Sequence, residues 1–451
     1  MKRIITFALC LVMAMGVGLC SGLATVAQAA PPTLNVSAES ALLLDANTGE
    51  WLFDKGANEK RFPASTTKIM TALLALEKGQ LSDMVTCTRD VELTVATWIQ
   101  LREGEIISLE ELLWGLMLPS ANDCAIAIAV HLGGSVEGFA DMMNAKAAEL
   151  GMKGSHFVNP NGLHDADHYS TAADLAVLTR EAMKHEKFRE VVATQSHVIP
   201  ATNRSGARTV TNSNYLIIDS QSNAHQYYEY ATGVKTGYTS PAQGCLVASA
   251  EYDGMSLIAV ILKDIQSDKF ATAAKMFKYG FENFKTIDLA ETLERRPIVV
   301  DIPNASKDDL LGGAVKLEYR STSTTYFTVR RDKVQELMDK LDAAVPTYQP
   351  GLDTLRAPLY VGQVVGKVEI RFDDITLTAD LVCPRDVEEN TSLFQPLRNY
   401  LSEKSDTLWP VSILSWVAFV LIVVLLAAAI WAGTVALLRA RRRSARIRRV
   451  R

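Results

Sequence analysis

RFPASTTKIM, residues 61–70, places a serine three positions ahead of a lysine and just behind a proline. The apolar residues that follow, Ile69, Met70, Leu73, Leu74 and Leu76, recur near a 3.6-residue period, and Gly79 supplies a stop, so Ser65 to Lys78 reads as a helix. Three residues is almost one turn, so Ser65 and Lys68 share a face. A serine hydroxyl is a weak nucleophile and needs a base. An amine one turn away serves if it is neutral, and burial or a second cation lowers a lysine pKa. A serine at a first turn also feels the positive end of the helix dipole. No other Ser-x-x-Lys occurs in the 451 residues.

Two further motifs supply what such a pair lacks. Ser120–Ala121–Asn122 lies in a Pro-led loop before a helix. Asn122 can donate and accept hydrogen bonds at once, holding Lys68 and a substrate amide, and Ser120 can pass a proton to a leaving amine. Lys235–Thr236–Gly237 lies on an expected strand, ATGVKTGYT (231–239). Lys235 is the second cation, and with the Thr236 hydroxyl it suits a carboxylate. Gly237 lets another backbone approach the strand closely. Each motif alone is common; the three in this order on suitable elements are not.

The surrounding elements read clearly. Residues 39–54 form strand, Asn-Thr-Gly turn and strand. Residues 108–150 read as several short helices, and 171–190 as one helix capped by Thr171 with Asp174 three places on. GCLVASA, Tyr252–Asp253–Gly254 and MSLIAVILK form a hairpin, followed by a helix in ATAAKMFKYGFENF. Beyond residue 286, short β-type runs separated by turn residues indicate a second, mainly β domain. There are no repeats and no low-complexity tract.

The ends of the chain have another character. Lys2 and Arg3, a long apolar run and Ala27–Gln28–Ala29 read as a signal peptide over residues 1–29. Leu19 before Cys20 argues against a lipoprotein box. No residue from Thr407 to Leu438 is charged, and eight arginines without an acid follow. That pattern predicts one transmembrane helix over 409–438 with Trp409, Trp416 and Trp431 as interfacial anchors, and a cytoplasmic Arg-rich tail, 439–451. All 51 acidic residues fall between these ends, with 36 of the 46 basic ones, so the body carries a net charge of −15. Such a body is a poor nucleic-acid binder. Cys87, Cys124, Cys245 and Cys383 form no CxxC pair and are expected to be buried free thiols.

The Ser-x-x-Lys, Ser-x-Asn, Lys-Thr-Gly triple resembles the pattern of penicillin-binding proteins and serine β-lactamases. PASTTKIMTALLALE, LMLPSANDCAIAIA, LGMKGSHFVNPNGLHDADHYSTAADLA and GVKTGYTSPAQGCLVASA resemble the low-molecular-mass D-alanyl-D-alanine carboxypeptidases over roughly residues 35–285. APLYVGQVVGKVEI (357–370) more loosely resembles that family's C-terminal domain. The resemblance implies an α+β fold: an antiparallel five-stranded sheet flanked by helices, with a helical subdomain inserted near residues 90–180. The implied organisation is a catalytic domain over 33–285, a smaller mainly β domain over 286–388, a stalk over 389–408 and the C-terminal transmembrane helix.

It also implies removal of the terminal D-alanine from peptidoglycan stem pentapeptides, covalent inhibition by β-lactams and no cofactor. Carried onto this chain, Ser65 is the acyl-accepting nucleophile, Lys68 its base, and Ser120 and Asn122 manage proton transfer and orientation. Lys235 and Thr236 bind the terminal carboxylate, Gly237 lies beside the substrate backbone, and the N–H groups of Ser65 and Tyr238 form the oxyanion hole. Each such donor is typically worth about 2.7–4 kcal/mol. The implied location is the cell membrane, with the catalytic domain outside. Some relatives carry an arginine in the loop that here reads TNSNYL (211–216), and this chain has Ser213 there.

HDADH (164–168) invites a metal reading for His164 and His168, but Asn159–Pro160–Asn161–Gly162 places it in a loop and the mechanism needs no metal. There is no G-x-S-x-G. Two rival functions share the acylation step. A β-lactamase usually carries a water-holding E-x-x-L-N, which is absent here. A membrane-bound β-lactam sensor would need a cytoplasmic effector that the short tail does not offer.

Overall fold

The computed structural model describes residues 33–222, 224–321, 326–345, 347–348, 355–373, 375–390 and 419–435. The chain divides into two compact units: Met1–Leu289 with Thr324–Leu341, and Ala290–Ser323 with Asp342–Arg451.

The first unit is built on an antiparallel five-stranded sheet in the order Trp51–Lys55, Ser40–Asp45, Met255–Asp264, Gln243–Tyr252, Ala231–Thr239. Its central strands are buried on both faces, so they read as apolar runs rather than as alternation. Period two still sorts their side chains. Leu42, Leu44, Val247, Val260 and Leu262 join one core with the helices Lys68–Lys78 and Ala172–Ala182. Ala41, Leu43, Leu246, Ala248 and Ile261 join the other with Phe270, Met276 and Phe277 of the helix Lys269–Asn283. The hairpin expected at Tyr252–Asp253–Gly254 forms, with Asp253 and Gly254 both at positive φ, 51° and 74°, the geometry of a twist-compatible two-residue turn.

The helix Lys68–Lys78 is almost wholly enclosed, with Ile69, Met70, Leu73 and Leu74 at 1% exposure or less. Burial of each such side chain contributes roughly 1.5–3 kcal/mol. Against it pack the helices Leu109–Met117 and Asn122–Gly133, and Val136–Glu149 packs next to them. Thr171 caps its helix as expected, its hydroxyl accepting from Asp174 N at 3.0 Å.

Two expectations are corrected. The single helix expected over 171–190 is two, Ala172–Ala182 and Glu186–Ala193, with extended backbone at His185. At about 100° per residue, Phe188 in an unbroken helix would lie about 220° around from Leu175. The break lets both enter the core. The second correction concerns the boundary at 285/286. Tyr326–Arg330, read as part of the β domain, pairs antiparallel with Phe284–Asp288 inside the first unit. Its Thr328 donates to buried Asp45 at 2.8 Å, as Thr286 also does. Two hydroxyls converging on one buried carboxylate account for the chain's return.

The second unit contains an antiparallel five-stranded sheet in the order Ile298–Asp301, Ala314–Ser321, Ile375–Val382, Val364–Phe372, Thr347–Tyr348. The four cysteines of the body are buried and free. No helix among the described residues is long and apolar enough to cross a membrane. Residues 419–435 are helical and exposed, and at 1.5 Å per residue they extend about 25 Å, short of a hydrocarbon core of about 30 Å. The rest of the expected transmembrane helix, 409–418 and 436–438, lies outside the described residues, as do the signal peptide and the arginine tail.

Candidate active site

Ser65 does not sit in the α-helix itself but in a 3-10 turn, Ala64–Thr67, that leads into Lys68–Lys78. The chain reaches it through Ala64 at φ 48°, a conformation that non-glycine residues adopt at a cost. The turn is held by Thr66, whose N–H and hydroxyl both donate to Pro63 O, at 3.2 and 2.7 Å. Ser65 remains partly exposed at the floor of a cleft of about 400 Å³.

Lys68 is fully buried, and its amine has three neighbours: Ser65 Oγ at 3.1 Å, Asn122 Oδ1 at 2.7 Å and the Asn161 carbonyl at 2.8 Å. The Asn122 amide is oriented by its other end, which donates to Val95 O at 2.6 Å. Carbonyl oxygens only accept. A neutral amine therefore spends its two N–H groups on Asn122 and Asn161 and turns its lone pair to the Ser65 hydroxyl. Burial pushes the Lys68 pKa well below its usual value, and the Lys235 charge adds to that; Cys124 and Asp123 oppose it weakly.

Ser120 and Asn122 are set by what surrounds them. Thr97 donates to Ser120 O at 2.6 Å, and Asn122 N donates to Thr97 O at 2.7 Å. Buried Asp123 pins the same loop by accepting from the N–H groups of Ile99 and Leu101. Ser120 stands at φ 68°, and its buried hydroxyl has no partner among the described residues. That leaves the hydroxyl for a bound molecule.

On the other wall runs the edge strand Ala231–Thr239. Lys235 is 1% exposed and donates to Thr236 O at 3.0 Å; burial, then the Lys269 charge, brings its pKa down to about 7. The Thr236 hydroxyl bonds Ser213 Oγ at 2.8 Å, and both residues line the cleft. A Cβ on Gly237 would lie 3.1 Å from Ser65 N, which shows how closely this strand passes the serine turn. Tyr238 follows at the cleft wall.

The structure thus brings together all eight residues named from the sequence, and it adds others. Lys269, at the start of its helix, lines the cleft; burial lowers its pKa, with Cys245 and Asp264 opposing. No motif marked it. Asn161 acts through its carbonyl, which has no sequence signature, although Asn-Pro-Asn-Gly did mark a tight loop. His168 is held by hydrogen bonds at both ends of its ring. Val158 N donates to its Nδ1 at 3.2 Å and its Nε2 bonds Thr67 Oγ1 at 2.8 Å, so both nitrogens are occupied. No metal-holding cluster occurs among the described residues.

Burial, partly offset by Asp165, brings the His168 pKa down to about 4 from 6.5. Below pH 6.5 the unfolded chain takes up a proton that the native state refuses, so stability is full above about 6.5 and declines as pH falls toward 4. His168→Gln is expected to flatten that decline by about 3 kcal/mol at pH 4, read from urea melts across pH 4–7.

A family model described as D-alanyl-D-alanine carboxypeptidase matches residues 25–266. D-alanyl-D-alanine carboxypeptidase DacF of Bacillus subtilis is 31% identical over 357 residues, 77% of this chain and 85% of the relative. DacA of Escherichia coli K12 is 28% identical over 359 residues, 77% and 82% respectively. Among solved structures, penicillin binding protein 5 from Haemophilus influenzae aligns with a TM-score of 0.57 at 26% identity, covering 79% of this chain and 99% of that one. The Streptomyces K15 DD-transpeptidase aligns at 0.51 and 32% identity, covering 56% and 99%.

Proposed function

This chain belongs to the D-alanyl-D-alanine carboxypeptidase family of serine hydrolases, and from that premise we propose that it removes the terminal D-alanine from peptidoglycan stem pentapeptides through an acyl-enzyme on Ser65. The observation that carries this reading is the set of three partners on Lys68, two carbonyl oxygens that only accept and one hydroxyl that can donate.

The substrate's terminal carboxylate enters a cleft that no acid lines among the described residues and that includes Lys269, with buried Lys235 next to Thr236. The Thr236–Ser213 hydroxyl pair faces it. Lys68 takes the proton of Ser65, and Oγ attacks the carbonyl carbon of the penultimate residue. The N–H groups of Ser65 and Tyr238 receive the oxyanion. As the tetrahedral intermediate collapses, the C–N bond breaks and the departing D-alanine amine takes a proton through the free Ser120 hydroxyl. Water, activated by the same lysine, then opens the ester and restores Ser65. A β-lactam follows the first half of this course and stays as the adduct. Among the described residues no carboxylate lines the cleft, so none there holds a water for its rapid release, which favours this reading over a β-lactamase.

The test is mass spectrometry of a diacyl-pentapeptide incubated with the protein. Loss of one alanine is expected; a protein that binds penicillin but releases none is a sensor and not this enzyme. The pH profile is a second test. Catalysis needs Lys68 neutral and Lys235 charged, so kcat/KM rises as Lys68 loses its proton and falls as Lys235 does, near 7 in the free enzyme. Lys235→Arg, whose cation does not titrate, is expected to lose the falling limb at whatever activity remains.

The same reading includes the anchor. The uncharged stretch 407–438, the arginines after it and the exposed apolar helix over 419–435 support a single C-terminal crossing with the catalytic unit outside the cell. The β-rich unit then serves as a spacer between bilayer and wall.

A further inference from the structure

One loop and one helix separate two cavities. Ala96, Thr97 and Asn122 face the catalytic cleft, whereas Trp98, Gln100 and Asp123, their near neighbours in sequence, line a second cavity of about 310 Å³. Glu92 and Arg102 complete its polar wall. Two non-glycine residues, Ala96 and Gln100, stand in the left-handed region at φ 69° and 65° and bracket the loop. The loop is held there by Asp123, which accepts from Ile99 and Leu101, and by the Asn122 amide on Val95 O. The strained path directs Thr97 to one cavity and Trp98 to the other.

We propose that this second cavity is a saccharide subsite that takes the glycan end of the substrate, a reading that rests on the carboxypeptidase reaction above. Trp98 is 51% exposed, so a large part of its flat apolar ring is open on the wall. The Trp98 indole N–H, the Gln100 amide and the Arg102 guanidinium enter no hydrogen bond or ion pair with the described residues. A flat apolar face flanked by mixed side-chain donors and acceptors matches a sugar ring, which has an apolar C–H face and a hydroxylated rim. A peptide would ask for a free strand edge instead, and the wall consists of side chains.

The spacing agrees. Three residues of stem peptide separate the scissile bond's acyl residue from the sugar, a reach of roughly 10 Å. Thr97, on the cleft, and Gln100, on the second cavity, are three positions apart in the chain, a comparable reach. A stem bound in the catalytic cleft can therefore carry its sugar over the loop.

The full chain in detergent is assayed for D-alanine release from a disaccharide-pentapeptide and from the same pentapeptide with an acetylated N-terminus and no sugar. Wild type is expected to favour the sugar-bearing substrate in kcat/KM by roughly two- to tenfold, the range of one stacked ring. Trp98→Ala should abolish that preference and leave the free pentapeptide unchanged, and Trp98→Phe should keep most of it. No preference in wild type, an equal loss on both substrates in Trp98→Ala, or a Phe variant as poor as Ala overturns the subsite. Absence of release from either substrate by wild type removes the reaction reading, and the subsite with it.

Discussion

Ser65→Ala is expected to lose the penicillin adduct altogether and to lower D-alanine release by about ten-thousandfold or more. Lys68→Met is expected to lose nearly as much, because among the described residues Lys68 is the one amine hydrogen-bonded to Ser65 Oγ. Lys68 Nζ is 3.1 Å away, and the Ser120 hydroxyl has no bond to either residue. The two act as a unit, so the double variant should be no worse than the poorer single one. Intact-mass spectrometry after labelled penicillin, with the alanine-release assay, reads all three. Wild-type acylation in Lys68→Met would return the base to some other group. Thermal melts separate chemistry from folding: the methionine leaves Asn122 Oδ1 and the Asn161 carbonyl short of a donor, each at about 1–3 kcal/mol, but no longer buries an amine.

Gly162→Ala is expected to damage stability and activity together. Gly162 stands at φ 78°, and a Cβ there would lie 1.9 Å from Ala64 O and 2.8 Å from Thr67 Oγ1. The first neighbour is backbone and cannot rotate away. A left-handed alanine costs about 1–2 kcal/mol and overpacking typically a further 1–3, so a loss of about 2–5 kcal/mol is expected in urea unfolding. The chain can relieve the clash only by parting the Asn159–Leu163 loop from the Ser65 turn. That moves the Asn161 carbonyl off Lys68 and withdraws a partner that directs its lone pair. A variant that melts like wild type with full activity would show that the two segments are not packed as described. Gly254, at φ 74° with nothing near its Cβ position, is the control: alanine there should cost only the backbone strain.

The candidate site residues were legible because each motif carries its own local physics. Ser65 and Lys68 share a face by helical spacing, the Asp253–Gly254 turn sets the hairpin against whose first strand the Lys235 strand pairs, and Thr171 announces its helix by a capping bond. Other parts were not legible. The break at His185 depends on which face Phe188 must present to a core built from other segments. Lys269 reaches the cleft only because its helix starts beside the sheet edge. The placement of Tyr326–Arg330 follows from Asp45, some 280 residues earlier.

Read by itself, the sequence determined which groups can do chemistry and on which elements they ride, since periodicity, turns and caps are settled within a dozen residues. The fold is what makes Lys68 an amine able to stand neutral against Ser65. That property comes from enclosure, from a cation on a distant strand and from a backbone carbonyl 93 residues away. Burial and backbone acceptors belong to no residue type, so no string of letters records them.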